Sequence, residues 1–169
     1  MLFRSFVSNA VDPVGTYKSF KATVDWDGEP VANVPVLLRI SESGITGFDY
    51  DEVTESRFEI LDEDGHLLPY EIDTWKTDGE SLVWVLLPDY HDGATFTVRY
   101  GASFANTPIP STNIWAEYKG VWHMNSVDPA DSTANGFNGT HKTGNLSVVN
   151  GAIGSAVNVP RSKIGRAHV

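Results

Sequence analysis

The 169-residue sequence contains no cysteine. That excludes disulfides, Cys-ligated zinc, iron–sulfur clusters and thiol catalysis. It selects no compartment, because secreted bacterial proteins often lack cysteine as well. Basic residues are scarce: 12 Lys and Arg stand against 22 Asp and Glu, a formal net charge of −10. Such a surface repels a phosphate backbone, so nucleic acid is not an expected partner. No apolar run approaches the roughly 18 residues of a spanning helix, so no membrane segment is expected. There is no Gly-x-Ser-x-Gly elbow and no phosphate-binding glycine loop. His66, His91, His123 and His141 show neither HxH nor HExxH spacing, which gives a zinc site little support. What the chain does have is a 41% apolar fraction with 11% aromatics, enough for a packed core. At this length it holds one domain, or one domain and part of another.

The pattern is β throughout. Tyr17 to Asp25 is rich in β-formers and partly alternates. Val34 to Ile40 is a short apolar run, suited to a strand buried on both faces. Ser56 to Leu61 sets Phe58 and Ile60 against Arg57 and Glu59. Asp62-Glu63-Asp64-Gly65 follows, and an Asp-Gly pair before Leu67 to Thr74 predicts a hairpin. Ser81 to Leu87 is the most apolar segment, ended by Pro88. Ala94 to Tyr100 puts Phe96, Val98 and Tyr100 on one face. Strands every 10–20 residues, with turn residues between them, predict an antiparallel β-sandwich. Ser41 to Glu55 fits a short helix or an ordered loop, with Ile45, Phe48 and Tyr50 among glycines and acids.

Ala105 to Thr112 reads as a stiff linker rich in Pro, Ser and Thr. Beyond it, Glu117 to Met124 is a strand candidate and Asp131 to Gly139 is turn-rich. Leu146 to Val149 and Ala156 to Val159 are weaker strand candidates. Too few apolar runs follow the linker to close a core, so residues 6–105 are expected to fold alone and those from Asn113 on are not.

Both ends resemble one translated sequencing adaptor in opposite orientations: Met1 to Ser5 and Ile164 to Val169. On that reading residues 1–5 and 164–169 are artefact, and the chain is a piece of a longer gene. Removing Arg4 and Arg166 takes the net charge from −10 to −12. The expected organisation is a β-sandwich domain at 6–105, a linker at 106–112, and the truncated start of a second domain at 113–163.

Several spaced motifs occur in order: Val34-Pro35-Val36-Leu37-Leu38-Arg39-Ile40, Ser56-Arg57-Phe58 with Asp62 to Gly65, Leu68-Pro69-Tyr70-Glu71-Ile72, Trp75, Glu80 to Pro88, and a last strand into Tyr100-Gly101. Together they resemble a bacterial domain-of-unknown-function family of surface proteins, over roughly Thr16 to Ala105. The resemblance implies that the chain continues into a concanavalin A-like, laminin-G-like jelly roll. Trp115, Glu117 to Asn125, Asp131 to Gly136 and Gly151 to Ala156 look like the opening of that second β-sandwich. It implies an extracellular, cell-surface or periplasmic location. The expected role is a non-catalytic module that binds a carbohydrate or other surface ligand. Two alternatives are an accessory part of a glycan-degrading enzyme and a periplasmic domain of a TolQ/ExbB-type biopolymer-transport proton-channel protein.

Asp62, Glu63, Asp64, Glu71 and Asp73 are the obvious carboxylates. A glycosidase needs two of them about 5–10 Å apart across a cleft. At a turn tip, Asp62 and Asp64 are better explained by turn chemistry. Glu71 and Asp73 fit a solvated strand face, so no catalytic residue is singled out. Asp62 to Gly65 resembles half of an acidic calcium loop, without the downstream bidentate Glu. Laminin-G-type jelly rolls often bind calcium, so the resemblance makes calcium the one cofactor to test in the second domain, with Asp128 and Asp131 as weak ligand candidates. Tryptophan faces stack on pyranose rings. Trp84 and Trp122 are expected in cores. Trp26 and Trp75, with polar neighbours, are the ligand-binding candidates.

Overall fold

The computed structural model describes residues 5–6, 12–14, 17–53, 57–101, 113–142 and 144–160. Met1 to Arg4, Ile164 to Val169 and the linker at 106–112 lie outside the described residues. The chain divides into two compact units, Met1–Ile114 and Trp115–Val169.

The first unit is an antiparallel β-sandwich. Its strands are β1 (Ser5–Phe6), β2 (Asp12–Val14), β3 (Tyr17–Val24), β4 (Val31–Ile40), β5 (Phe58–Leu61), β6 (Tyr70–Thr74), β7 (Ser81–Tyr90) and β8 (Thr95–Tyr100). One sheet runs β1-β3-β8-β5, with β2 also paired to β3; the other runs β4-β7-β6. Within the first sheet, β8 takes β3 on one side (Lys18 opposite Tyr100, Thr23 opposite Thr95) and β5 on the other (Phe58 opposite Tyr100). That register aligns the inward rows. Phe20, Ala22 and Val24 of β3, Phe58 and Ile60 of β5, and Phe96, Val98 and Tyr100 of β8 are all buried. The facing sheet contributes Val36, Leu38, Ile40, Val83, Val85 and Leu87 to the same core. Full burial of each large apolar side chain stabilises the fold by roughly 1.5–3 kcal/mol.

The predicted elements stand, with four corrections in this unit. First, β4 is not buried on both faces: Leu37 is half-buried and Arg39 exposed, because the period-2 rule turns alternate residues outward. Second, the same rule takes Trp84 out of the core. Val83 and Val85 point inward, and Trp84 between them is only half-buried. Third, Pro88 does not end β7, which runs to Tyr90. Pairs form on either side of it (Val34 with Leu87, Ala32 with Asp89), and Asn33 between them takes φ 56°. A proline without N–H is tolerated at such an irregularity. Fourth, the hairpin at Asp62 to Gly65 is a short one: Asp62 N donates to His66 O at 3.0 Å and Leu68 N to Ile60 O at 2.8 Å, and the pairing does not extend into β6. Gly65 adopts φ 84° and Leu61 bridges Leu67, but β5 belongs to one sheet and β6 to the other. The turn is an arch between layers.

Residues 41–53 form an ordered loop packed on the core, with a 3-10 turn, Tyr50–Glu52, capped by the Asp49 carboxylate. Ile45, Phe48, Tyr50 and Val53 are all buried. Phe48 stands edge-on to Phe20, Tyr50 and Tyr100, with centroids 6.0, 4.9 and 5.3 Å away.

Among its described residues the second unit holds one hairpin, β9 (Ser147–Asn150) and β10 (Ser155–Asn158), paired from Ser147 opposite Asn158 to Asn150 opposite Ser155. Both lie close to the predicted positions. Glu117 to Met124 is a correction: no residue of it is in a strand. Tyr118 N donates to Trp115 O at 2.9 Å, and Met124 sits at φ 56°, which breaks an extended run. His123 is therefore not a strand residue; its ring lies 6.0 Å from that of Trp115.

Candidate functional site

Trp75 lies just past the end of β6, at the side of the sandwich where the 41–53 loop packs. Its indole stacks on Phe58, with centroids 5.7 Å apart and planes within 11°. Tyr70 stacks on Phe58 as well, at 4.7 Å and 28°. Tyr50 meets the Trp75 ring edge-on at 5.5 Å. Phe58 is buried, while Tyr70 and Trp75 are half-buried. Trp75 thus keeps part of its surface in water while its position is held by packing.

A buried hydroxyl pair secures this edge. Tyr50 Oη lies 2.7 Å from both Ile40 O and Ser81 Oγ. Ser81 is fully buried and accepts from Lys76 N at 2.8 Å. Burial raises the Tyr50 phenol above its ordinary pKa, and the bond to Ser81 only partly offsets this. Ser81 therefore fixes both the loop that carries Tyr50 and the turn that follows Trp75.

Between these two segments lies a groove of about 320 Å³, lined by Glu42, Ser43, Thr77, Asp78 and Gly79. That falls at the lower end of the roughly 300–1,000 Å³ typical of small-molecule clefts. Glu42 is held in place because its Oε1 accepts from Tyr50 N at 3.1 Å. Ser43 Oγ is 3.3 Å from Ser41 Oγ. Asp78 is open to solvent, its side chain 84% exposed, with Lys76 Nζ 4.0 Å away. The groove presents carboxylates and hydroxyls, two residues along the chain from Trp75. Sequence reasoning missed it. The signal available was a pair of short polar turns, Ser41 to Gly44 and Thr77 to Gly79, but only the sandwich sets them side by side.

Trp26 is placed differently. Its ring packs against the core and lies 5.3 Å from the Tyr90 ring. Trp26 Nε1 donates to Glu29 O at 2.9 Å. A Cβ on Gly28 would come within 2.5 Å of the indole, so this ring is folded over its own turn. The structure does not bring Trp26 and Trp75 into one site.

The acidic turn forms a smaller depression of about 170 Å³, whose lining includes Asp62, Glu63, Asp64, Asp89 and His91. Two of its carboxylates, those of Asp62 and Glu63, hold the backbone. Asp62 Oδ1 accepts from Asp64 N and His66 N at 3.0 and 2.8 Å. Partial burial pushes the Asp62 pKa up, and these bonds with the His66 ring outweigh it, so the net shift is downward. Glu63 Oε1 accepts from Thr95 N and Oγ1 at 2.9 and 3.0 Å, which lowers its pKa. Lowered values suit anchoring rather than proton donation near neutral pH. Glu71 and Asp73 are half-buried on β6.

In the second unit Asp131 is the organising residue. Its carboxylate accepts from the backbone N–H of Val121, Thr133 and Phe137 at 3.0, 3.0 and 2.8 Å, and from Thr133 Oγ1 at 2.8 Å. Desolvation alone would raise its pKa, but these four bonds overcome it and hold the value at about 2. Asp128 accepts from His141 N. Both calcium candidates are thus tied to backbone, and among the described residues no group of three His, Asp or Glu side chains is placed to hold a metal ion. Trp122, expected in a core, is 38% exposed; it covers Gly120, and its Nε1 donates to Phe137 O at 2.8 Å.

This arrangement makes the Asp131 loop acid-sensitive. Its folded pKa of about 2 lies below the 3.8 of the free side chain, so the stabilisation is complete above about pH 4 and is lost as pH falls through 2. In an NMR titration the Asp131 carboxyl should have its midpoint near 2 in the intact chain. A midpoint near 4 would contradict the hydrogen-bond assignment.

Comparison with protein-family models, with curated proteins and with solved structures gives no match.

Proposed function

We propose that this chain is a non-catalytic recognition module of an extracellular, cell-surface or periplasmic bacterial protein, and that it binds a carbohydrate at the Trp75 edge. One observation carries the reading: a groove of carboxylates and hydroxyls is built partly on the turn that follows Trp75, a half-buried tryptophan whose position is set by aromatic packing. Sugars are bound by that pairing, an apolar ring for the C–H face and polar groups for the hydroxyls. Acid–base hydrolysis has less support, since Asp62 and Glu63, the acids of the arch with shifted pKa values, are shifted down and tied to backbone.

A glycan array with the intact chain tests this. Binding to at least one glycan is expected, with loss on Trp75→Ala. Because Trp75 also packs on Phe58, Asp78→Ala provides the control for folding. Asp78 is largely exposed, so the fold should be unchanged while affinity falls about fivefold, the value of one hydrogen bond near 1 kcal/mol. Hydrolysis of a glycan, or an empty array, would overturn the proposal.

A further inference from the structure

Three Asn-Gly pairs lie in the second unit: Asn135-Gly136, Asn138-Gly139 and Asn150-Gly151. This dipeptide has a chemistry of its own. Glycine has no Cβ to shield its amide nitrogen, so that nitrogen can attack the carboxamide of the asparagine before it. Attack needs a free Gly N–H and a carboxamide free to turn onto it. The fold withholds these to different degrees at the three pairs.

At Asn138 both are taken. Its Oδ1 accepts from Asp131 N at 2.9 Å, and Gly139 N donates to Pro129 O at 2.8 Å. At Asn135 the carboxamide is tied down, with Nδ2 donating to Lys119 O at 3.1 Å. Both pairs also belong to the loop that the Asp131 carboxylate holds through the N–H groups of Val121, Thr133 and Phe137. Asn150 is placed differently. It is the exposed last residue of β9, and among the described residues its carboxamide makes no hydrogen bond. Gly151 N donates to Gly154 O at 2.9 Å, but that bond sits in the turn of the β9–β10 hairpin. Among the described residues neither strand pairs with a third. An isolated two-stranded hairpin is marginally stable in water, so it opens locally at little cost.

We propose that Asn150 is a self-modification site, where the chain converts its own carboxamide to a carboxylate. Gly151 N gives its proton to solvent base and bonds to Asn150 Cγ. The Cγ–Nδ2 bond breaks, and the amide nitrogen takes a proton from solvent and leaves as ammonia. A five-membered succinimide remains. Water adds to one of its two carbonyls and opens it to an aspartyl or isoaspartyl residue. No electrons are transferred, and water is the only co-reactant. The product places a negative charge at the end of β9. In the isoaspartyl form the backbone gains a methylene, which disturbs the pairing with Ser155 and loosens the hairpin.

Incubation of the intact chain in mildly alkaline buffer, folded and in guanidinium chloride, tests this. Tryptic peptides 120–142 and 143–161 separate Asn150 from the other two, and fragmentation mass spectrometry locates each converted asparagine. In the denatured chain all three should convert at similar rates. In the folded chain Asn150 should keep most of its denatured-state rate. It should convert about tenfold faster than Asn135 or Asn138, equivalent to about 1.4 kcal/mol less to open. Asp131→Ala should speed Asn135 and Asn138 and leave Asn150 little changed. Asn150→Gln should abolish the product at that position, since the longer side chain closes a ring slowly. Equal rates at the three pairs of the folded chain, or fastest conversion at Asn135 or Asn138, would overturn the proposal. So would an Asn150 that converts only in the denatured chain. Acceleration of Asn150 along with the others in Asp131→Ala would also overturn it, by showing that the hairpin shares the protection of the loop.

Discussion

Phe58→Ala is expected to destabilise the first unit by about 3–5 kcal/mol, the range for emptying a buried aromatic site. Phe58 is 1% exposed and lies between the rings of Tyr70 and Trp75. Those rings come from opposite ends of β6, and Tyr70 Oη donates to Phe58 O at 3.1 Å. Removing the central ring costs the burial of Phe58 and leaves two half-buried rings without a support. For a domain of about 100 residues the melting temperature should fall by roughly 15–30 °C. Phe58→Leu keeps most of the volume and should cost less, about 1.5 kcal/mol. Thermal melts followed in the near ultraviolet check both. A drop of only a few degrees in Phe58→Ala would show that the stack is not part of the core. In the alanine variant carbohydrate affinity should fall even below the melting transition, because Trp75 loses its support.

Ser81→Ala should destabilise the same unit by about 1–3 kcal/mol, through a different cause. Little volume is lost. The cost arises because Lys76 N–H loses its acceptor in a partly buried setting and Tyr50 Oη keeps only Ile40 O. Tyr50→Phe should cost a similar amount. The double variant should be less destabilised than the two together, since both remove one shared bond. Strict additivity in denaturant melts would show that the hydroxyls act separately. The pair also links the loop bearing Glu42 to the turn bearing Asp78. Ser81→Ala is therefore expected to weaken groove binding without removing any lining residue, while Ser81→Thr, which keeps the oxygen, should preserve binding better.

Much of the strand set was legible because period-2 patterning needs no partner. Phe96, Val98 and Tyr100 alternate in the sequence and are all buried in β8. Apolarity alone misled at two tryptophans. Trp84 sits in a run of apolar neighbours, yet its parity sends it outward. Trp122 has aromatic and aliphatic company but covers a glycine at a turn. The 41–53 loop was ambiguous for a related reason. Ile45, Phe48 and Tyr50 follow no period, since their burial depends on packing against the core that no local pattern records.

The sequence by itself determined the class: an acidic, cysteine-free, antiparallel β-sandwich with an Asp-Gly turn where the chain reverses. Charge balance and side-chain alternation are local properties, and they survive whatever packs nearby. The tertiary structure decided which face each tryptophan takes and that the Asp-Gly turn arches between layers. It also brought Glu42, thirty-six residues before Asp78, to the other wall of one groove. Those outcomes depend on long-range register: β4 pairs with β7, so the loop after Ile40 meets the turn before Ser81. Only that pairing places the two polar turns side by side.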